Sequence, residues 1–206
     1  MLIGRAICHQ MPERTIRIGG WLLPTCARCT GIHVGIGIGF LYFFFRKRLN
    51  GNRLLDYDSM IIATLSFLPF MVDGVGSYLG FWQSNQLLRI TSGALAGYGL
   101  PYFFILLFHF EESGENDRPI YTDAWEMIGL LFGNLVVAMC IYFGGFGRYL
   151  VIAFMTSFGI LCFYSGVCVL FLSLLFGKRI GKRLCLGSSV MLAIVLLLFI
   201  SLGIRR

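Results

Sequence analysis

The sequence predicts an all-α protein, a polytopic bundle of about six transmembrane helices. Hydrophobic residues make up 57% of the chain and charged residues only 13%, and the mean hydropathy is +0.80. Soluble domains carry about a quarter charged residues, so this composition excludes an ordinary soluble domain. Apolar runs long enough to span a bilayer recur along the whole chain. They are too long and too continuous for barrel strands, which favours helices.

Six apolar runs are predicted to form membrane-spanning helices. They cover residues 30–45, 59–82, 87–110, 124–143, 149–176 and 184–204. A bilayer core requires roughly 20 apolar residues in a helix, so we expect the first helix to begin before Thr30. The links are too short for a soluble domain. We therefore expect one integral membrane domain over residues 1–206, with residues 1–29 as an N-terminal segment and residues 30–206 as the helix bundle.

Lys and Arg cluster in two links, at residues 46–53 and 178–183. In a six-helix zigzag both links lie on one side, and short cytoplasmic loops are enriched in these residues. We therefore expect the N-terminal segment on the outer face of the cell membrane. It lacks the continuous apolar core of a signal peptide, so we expect it to remain in the mature protein. The net charge of +7 suits anionic lipid headgroups of the bilayer and does not require nucleic acid.

Potential metal ligands are concentrated near the N-terminus. Cys8, His9, Cys26 and Cys29 offer four soft or borderline donors, the set that a tetrahedral zinc site prefers. Copper(I) also suits a thiolate-rich site. Three cysteines with His33 or water in the fourth position would also satisfy a zinc ion. The other four cysteines lie in or beside apolar runs, where we expect small core residues.

A Cys-x-x-Cys pair can also close a reversible disulfide. Cys29 is predicted in the first turn of the first helix, where the helix dipole and Arg28 favour the thiolate. Cys8 is then the candidate resolving thiol. This alternative is a thiol-disulfide oxidoreductase that uses Cys26 and Cys29 and passes electrons to a quinone. A third possibility is that the cysteines form only a structural disulfide or are inert.

A second polar group is predicted around the link between the second and third helices. Asp73 follows an apolar stretch, and an ionisable residue at membrane depth usually faces a partner or a cavity. Arg89 is the partner that we predict for it. The two residues are candidate catalytic groups beside a metal-bound water, or they line the pathway of a small transporter. The simpler alternative is a structural ion pair.

Glycines repeat every four residues in the first and third predicted helices, at Gly31, Gly35 and Gly39 and at Gly93 and Gly97. Such spacing allows two helix backbones to approach closely. If these faces pack together, the third helix brings Arg89 towards the Cys-x-x-Cys pair. The sequence therefore predicts a composite site on the outer face.

Several motifs resemble those of an uncharacterised family of small prokaryotic multi-pass membrane proteins. They are Cys-His-Gln-x-Pro-x-Arg from Cys8, Pro-x-Cys-Ala-Arg-Cys-Thr-Gly from Pro24, Asp-Gly at Asp73, and Ser-Asn-x-x-x-Arg-x-Thr-x-Gly from Ser84. The resemblance spans residues 8–97. The positions that match are Cys8, His9, Gln10, Pro12, Arg14, Cys26, Arg28, Cys29, Gly31, Asp73, Asn85, Arg89 and Gly93. His33 departs from the pattern, which places an aromatic residue there. The family has no assigned activity, so the resemblance supports the site and not a reaction.

Overall fold

The structure, a computed structural model, describes residues 7–8, 11–112, 114–144, 149–176 and 194–195. A short 3-10 helix, Pro12–Arg14, precedes a hairpin of two strands, β1 (Arg17–Ile18) and β2 (Trp21–Leu22). Five helices follow: α1 (Ala27–Phe45), α2 (Tyr57–Tyr78), α3 (Gln86–His109), α4 (Ala124–Tyr142) and α5 (Tyr149–Phe176). All five are long and apolar enough to cross a membrane, which confirms the predicted fold class. The predicted sixth helix, residues 184–204, lies outside the described residues except for 194–195.

Local sequence explains where the helices begin and end. As predicted, α1 begins before Thr30 and includes Cys29 in its first turn. Asn85 and Asp123 cap α3 and α4, where their side-chain oxygens accept the Leu88 and Glu126 backbone N–H groups at 2.7 and 2.8 Å. The helix α2 ends before the predicted residue 82, because Gly80 adopts a φ of +80° that begins a turn.

The helices α1 and α3 form the closely packed centre of the bundle through their glycines, as the spacing predicts. A Cβ atom added to Gly97 would lie 2.2 Å from the Ile32 carbonyl oxygen, and one added to Gly31 would lie 2.2 Å from the Ile90 carbonyl oxygen. Only glycine allows this approach. Of the remaining helices, α2 and α4 pack against α3, and α5 packs against α1.

The two ends of the bundle are chemically different. We call the end where α1, α3 and α5 begin the cysteine end. At the opposite end, Arg48 donates to the Glu126 carboxylate at 2.7 Å, and the Asn52 and Arg53 backbone N–H groups donate to the Arg118 carbonyl at 3.0 Å. The links that follow α1 and α3 therefore lie on the same end of the bundle, as the zigzag predicts.

The N-terminal segment folds back onto the cysteine end. Gly19 and Gly20, at φ +56° and +85°, make the tight turn of its hairpin. Ile16, Ile18 and Leu23 are buried in a core cluster that also contains residues of α1, α3, α4 and α5. Burial of these side chains fixes the hairpin against the bundle. The residues just before and just after the hairpin are therefore also held at the cysteine end.

A candidate metal centre at the cysteine end

Three of the four predicted metal ligands lie together. The Sγ atoms of Cys8, Cys26 and Cys29 are all within 4.8 Å of one another, and the three side chains are half-buried. Among the residues that the structure describes, this is the one group of three or more potential ligands of this kind. The fourth predicted ligand, His9, lies outside the described residues.

The turn at the start of α1 positions the Cys-x-x-Cys pair. Cys26 is the N-cap residue, and its carbonyl accepts the Thr30 N–H at 2.8 Å. The Thr25 and Thr30 hydroxyls lie 2.9 Å apart and are both fully buried, so they hold the turn from its two sides. Cys29 then lies one helical turn from the cap, on the same side as Cys26.

Cys8 reaches this pair because the hairpin folds the chain back, so that Cys26, after the hairpin, lies beside Cys8, before it. Its sulfur accepts a hydrogen bond from the Cys26 backbone N–H at 3.3 Å, across a separation of 18 residues. Before the hairpin, the Thr15 hydroxyl donates to the Met11 carbonyl at 2.8 Å and stabilises the bend around the 3-10 helix. A third thiol is thus held against the pair by tertiary structure, which spacing alone does not specify.

The limit of 4.8 Å on the sulfur separations is compatible with a tetrahedral ion. A Zn–S bond of about 2.3 Å in tetrahedral geometry places two sulfurs roughly 3.8 Å apart. For the pKa of Cys26, the hydrogen bond with Cys29 is the largest influence and lowers it, but the hydrogen bond with Cys8 and burial outweigh this, so the pKa is raised. The raised pKa keeps the Cys26 thiol protonated without a cation, and a metal ion must displace that proton when it binds.

His33 does not join the three thiols. Its Nδ1 lies 2.7 Å from the Cys29 carbonyl oxygen, and its ring meets the Phe163 ring edge-on with centroids 6.2 Å apart. With 5% of its surface exposed, it packs between α1 and α5. The structure therefore favours His33 as a packing residue that supports the Cys29 turn.

The prediction that Arg89 pairs with Asp73 is wrong. Arg28, which lies between the two cysteines of the motif, forms the ion pair with the Asp73 carboxylate. The same Arg28 nitrogen donates to the Asp73 carbonyl and to the Ser77 hydroxyl, both at 3.3 Å. Asp73 is 2% exposed. The pair forms because the last turns of α2 lie beside the first turn of α1, so Arg28 reaches Asp73 directly. The position of Arg28 between the two cysteines is the sequence feature that could have identified it as the partner of Asp73.

Arg89 instead lines a polar cavity of about 580 Å³ between the N-terminal segment and the start of α3. Its Nε donates to the Ser84 carbonyl at 3.2 Å. Gln86 closes one side of the cavity, where its amide donates to the Glu13 and Thr15 carbonyls at 3.3 and 3.4 Å. Arg89 thus lines a cavity at the cysteine end, but Asp73 and the three cysteines are not among its lining residues, and Asp73 pairs with Arg28 instead.

The fold and the site together define a multi-pass helical membrane protein with a three-thiol cluster at one end of its bundle. Residues 8–103 match the family described as "Predicted membrane protein (DUF2085)". The chain belongs to this family, which confirms the resemblance found in the motifs. The matched region contains every residue of the thiol cluster, the Arg28–Asp73 pair and Arg89.

Two archaeal relatives support this assignment. The chain is 36% identical over 107 residues to an uncharacterized protein of Methanothermobacter thermautotrophicus, covering 51% of this chain and 90% of the relative. It is 34% identical over 102 residues to an uncharacterized protein of Methanocaldococcus jannaschii, covering 50% of this chain and 64% of that relative. No solved structure matches the chain.

Proposed function

We propose that this protein binds one transition-metal ion, with zinc favoured, through Cys8, Cys26 and Cys29. The observation that carries the proposal is the convergence of the three sulfur atoms within 4.8 Å. A fourth ligand from His9 or water would complete a tetrahedral site. Copper(I) is the other ion whose preference for thiolates suits this donor set.

The contacts around the cluster support a metal that fastens the N-terminal segment to the bundle. Cys8 belongs to that segment, whereas Cys26 and Cys29 belong to the start of α1. An ion shared by all three would therefore close the segment over the polar cavity. Asp73 acts in this scheme as a positioning residue, because its ion pair with Arg28 holds the turn between the two α1 ligands.

Elemental analysis of the full chain in detergent tests the proposal. We expect about one zinc per chain in the wild type and a loss of the ion in Cys8→Ser and Cys26→Ser. Cys162→Ser is the matched control, because Cys162 is a half-buried cysteine of α5 outside the cluster. Cobalt(II) substitution adds a readout of ligand number, since each thiolate contributes to the charge-transfer absorption. Absence of metal from freshly reduced protein, before and after zinc addition, would refute the proposal.

A thiol-disulfide oxidoreductase is the second candidate, favoured by the same closeness of three sulfurs. Cys26 and Cys29 would cycle and Cys8 would resolve the mixed disulfide. Against coupling to a quinone, an apolar cavity of about 400 Å³, lined by residues such as Leu49, Phe108 and Leu161, lies towards the opposite end of the bundle. Two thiols that appear only after reduction, together with no bound metal, would favour this candidate over the first.

We also infer that the cysteine end faces outward from the cell membrane. Arg46, Lys47, Arg48 and Arg53 all lie at the opposite end, in the link that follows α1. A short link rich in Lys and Arg is typical of the cytoplasmic side.

A further inference from the structure

We propose that the polar cavity at the cysteine end binds an anionic ligand of the phosphate class through Arg89 and Arg14. The cavity has a volume of about 580 Å³, and both arginines line it. This site is separate from the metal centre, because none of the three cysteines lines the cavity. Arg89 belongs to α3 and does not depend on the metal, whereas Arg14 belongs to the N-terminal segment, so its contribution rests on the proposed function.

The first support is the state of Arg89. Only 8% of the residue is exposed, yet its side chain makes a single hydrogen bond to the described residues, from Nε to the Ser84 carbonyl. Within the described chain, no carboxylate lies within ion-pair distance of its terminal nitrogens. The terminal nitrogens of Arg89 therefore keep free donors, and the residue lines the cavity. The cavity is where a partner for these donors can bind.

The second support is the balance of charge around the cavity. Arg14 and Arg89 line it together with one acidic residue, Glu13. Asp73, the one buried carboxylate among the described residues, is already paired with Arg28. An uncompensated positive charge therefore remains at the cavity, and an anion would neutralise it.

The third support is the position of the cavity at the N-terminus of α3 and the polar groups that line it. The cavity lies at the N-terminus of α3, a helix of 24 residues, where the helix dipole favours negative charge. Asn85 uses its side chain to cap the Leu88 N–H. Ser84 and Gln83 add polar groups to the lining. Guanidinium forks match phosphate oxygens in pairs, which makes phosphate the fitting chemistry.

The location allows two sources of that phosphate. Trp82 lines the cavity, and Tyr78 and Phe81 nearby are 90% and 74% exposed. Exposed aromatic residues at helix ends are typical of the interface between lipid tails and headgroups. A lipid headgroup can therefore supply the phosphate, and so can a soluble phosphate from the aqueous side.

Thermal unfolding of the full chain distinguishes these sources. Inorganic phosphate is added to protein in neutral detergent, and separately the protein is placed in nanodiscs of phosphatidylglycerol or of phosphatidylcholine. Stabilisation by inorganic phosphate indicates a soluble ligand, and stabilisation only by phosphatidylglycerol indicates a headgroup. If neither stabilises the protein, the proposal is overturned.

Variants then assign the effect to the cavity. We expect Arg89→Gln to weaken binding by about 10-fold or more, as expected for loss of charged hydrogen bonds. Arg14→Gln, a change at an exposed residue, should weaken binding less. Arg17→Gln removes the same charge from the same segment outside the cavity and should leave binding unchanged. Arg89→Lys keeps the charge and provides a folded variant if Arg89→Gln does not fold. Equal binding by the wild type, Arg14→Gln and Arg89→Lys would contradict the assignment.

Discussion

Substitution of Gly93 by alanine should destabilise the protein and disturb the start of α1. A Cβ atom on Gly93 would lie 2.3 Å from the Arg28 carbonyl oxygen and 3.1 Å from the Ile32 backbone nitrogen. An ordinary contact is at least 3.4 Å, so α1 and α3 would have to separate by about 1 Å. Overpacking of this kind costs about 1–3 kcal/mol. The backbone that must move is that of Arg28, between the two α1 thiols.

The matched control is Gly133→Ala in α4, where an added Cβ meets nothing within 4 Å. Alanine there should stabilise the helix by roughly 0.5–1 kcal/mol, because glycine in a helix interior is unfavourable. Unfolding followed by tryptophan fluorescence should therefore show shifts of opposite sign. For a chain of this size, the Gly93→Ala midpoint should fall by about 2–12 °C. Equal midpoints for Gly93→Ala and the wild type would refute the close approach of α1 and α3.

Two further predictions concern the ion pair and the orientation of the protein. Asp73→Asn should destabilise the protein by about 3–5 kcal/mol, because it leaves Arg28 without its buried partner. Asp58→Asn, at an exposed position of the same helix, should have little effect on the unfolding midpoint. In intact cells, a membrane-impermeant maleimide should label Trp21→Cys, at a 66% exposed position of the cysteine end, more strongly than Glu112→Cys in an exposed link at the opposite end. An unchanged unfolding midpoint in Asp73→Asn would contradict the structural role of the Arg28–Asp73 ion pair. Stronger labelling of Glu112→Cys than of Trp21→Cys would contradict the proposed orientation.

The fold could be predicted from the sequence because membrane solvation imposes strong rules on it. Length and apolarity determined the helices, and the limits of α3, α4 and α5 lie within one residue of the predicted ones. Glycine periodicity identified the α1–α3 contact, because only small residues let two backbones meet. The end of α2 was less predictable, since apolar residues continue past the turn at Gly80.

The site was only partly predictable, because it depends on tertiary contacts. The Cys-x-x-Cys spacing indicated Cys26 and Cys29, but Cys8 joins them through the docking of the hairpin. The partner of Asp73 depends on which helix lies beside α2 at that depth. Spacing along the chain predicted Arg89 as this partner, whereas the structure pairs Asp73 with Arg28. A charged residue inside a ligand motif is the sequence feature that could have identified this pair.

The zinc content of Cys8→Ser tests the central proposal most directly, because Cys8 distinguishes a three-thiol centre from an isolated Cys-x-x-Cys pair. The measurement compares zinc per chain in the wild type, Cys8→Ser and Cys162→Ser, all purified in the same detergent under reducing conditions. The proposal predicts about one zinc per chain in the wild type and in Cys162→Ser, and a large loss in Cys8→Ser. Equal zinc in Cys8→Ser and the wild type, or no zinc in any of the three, would contradict it.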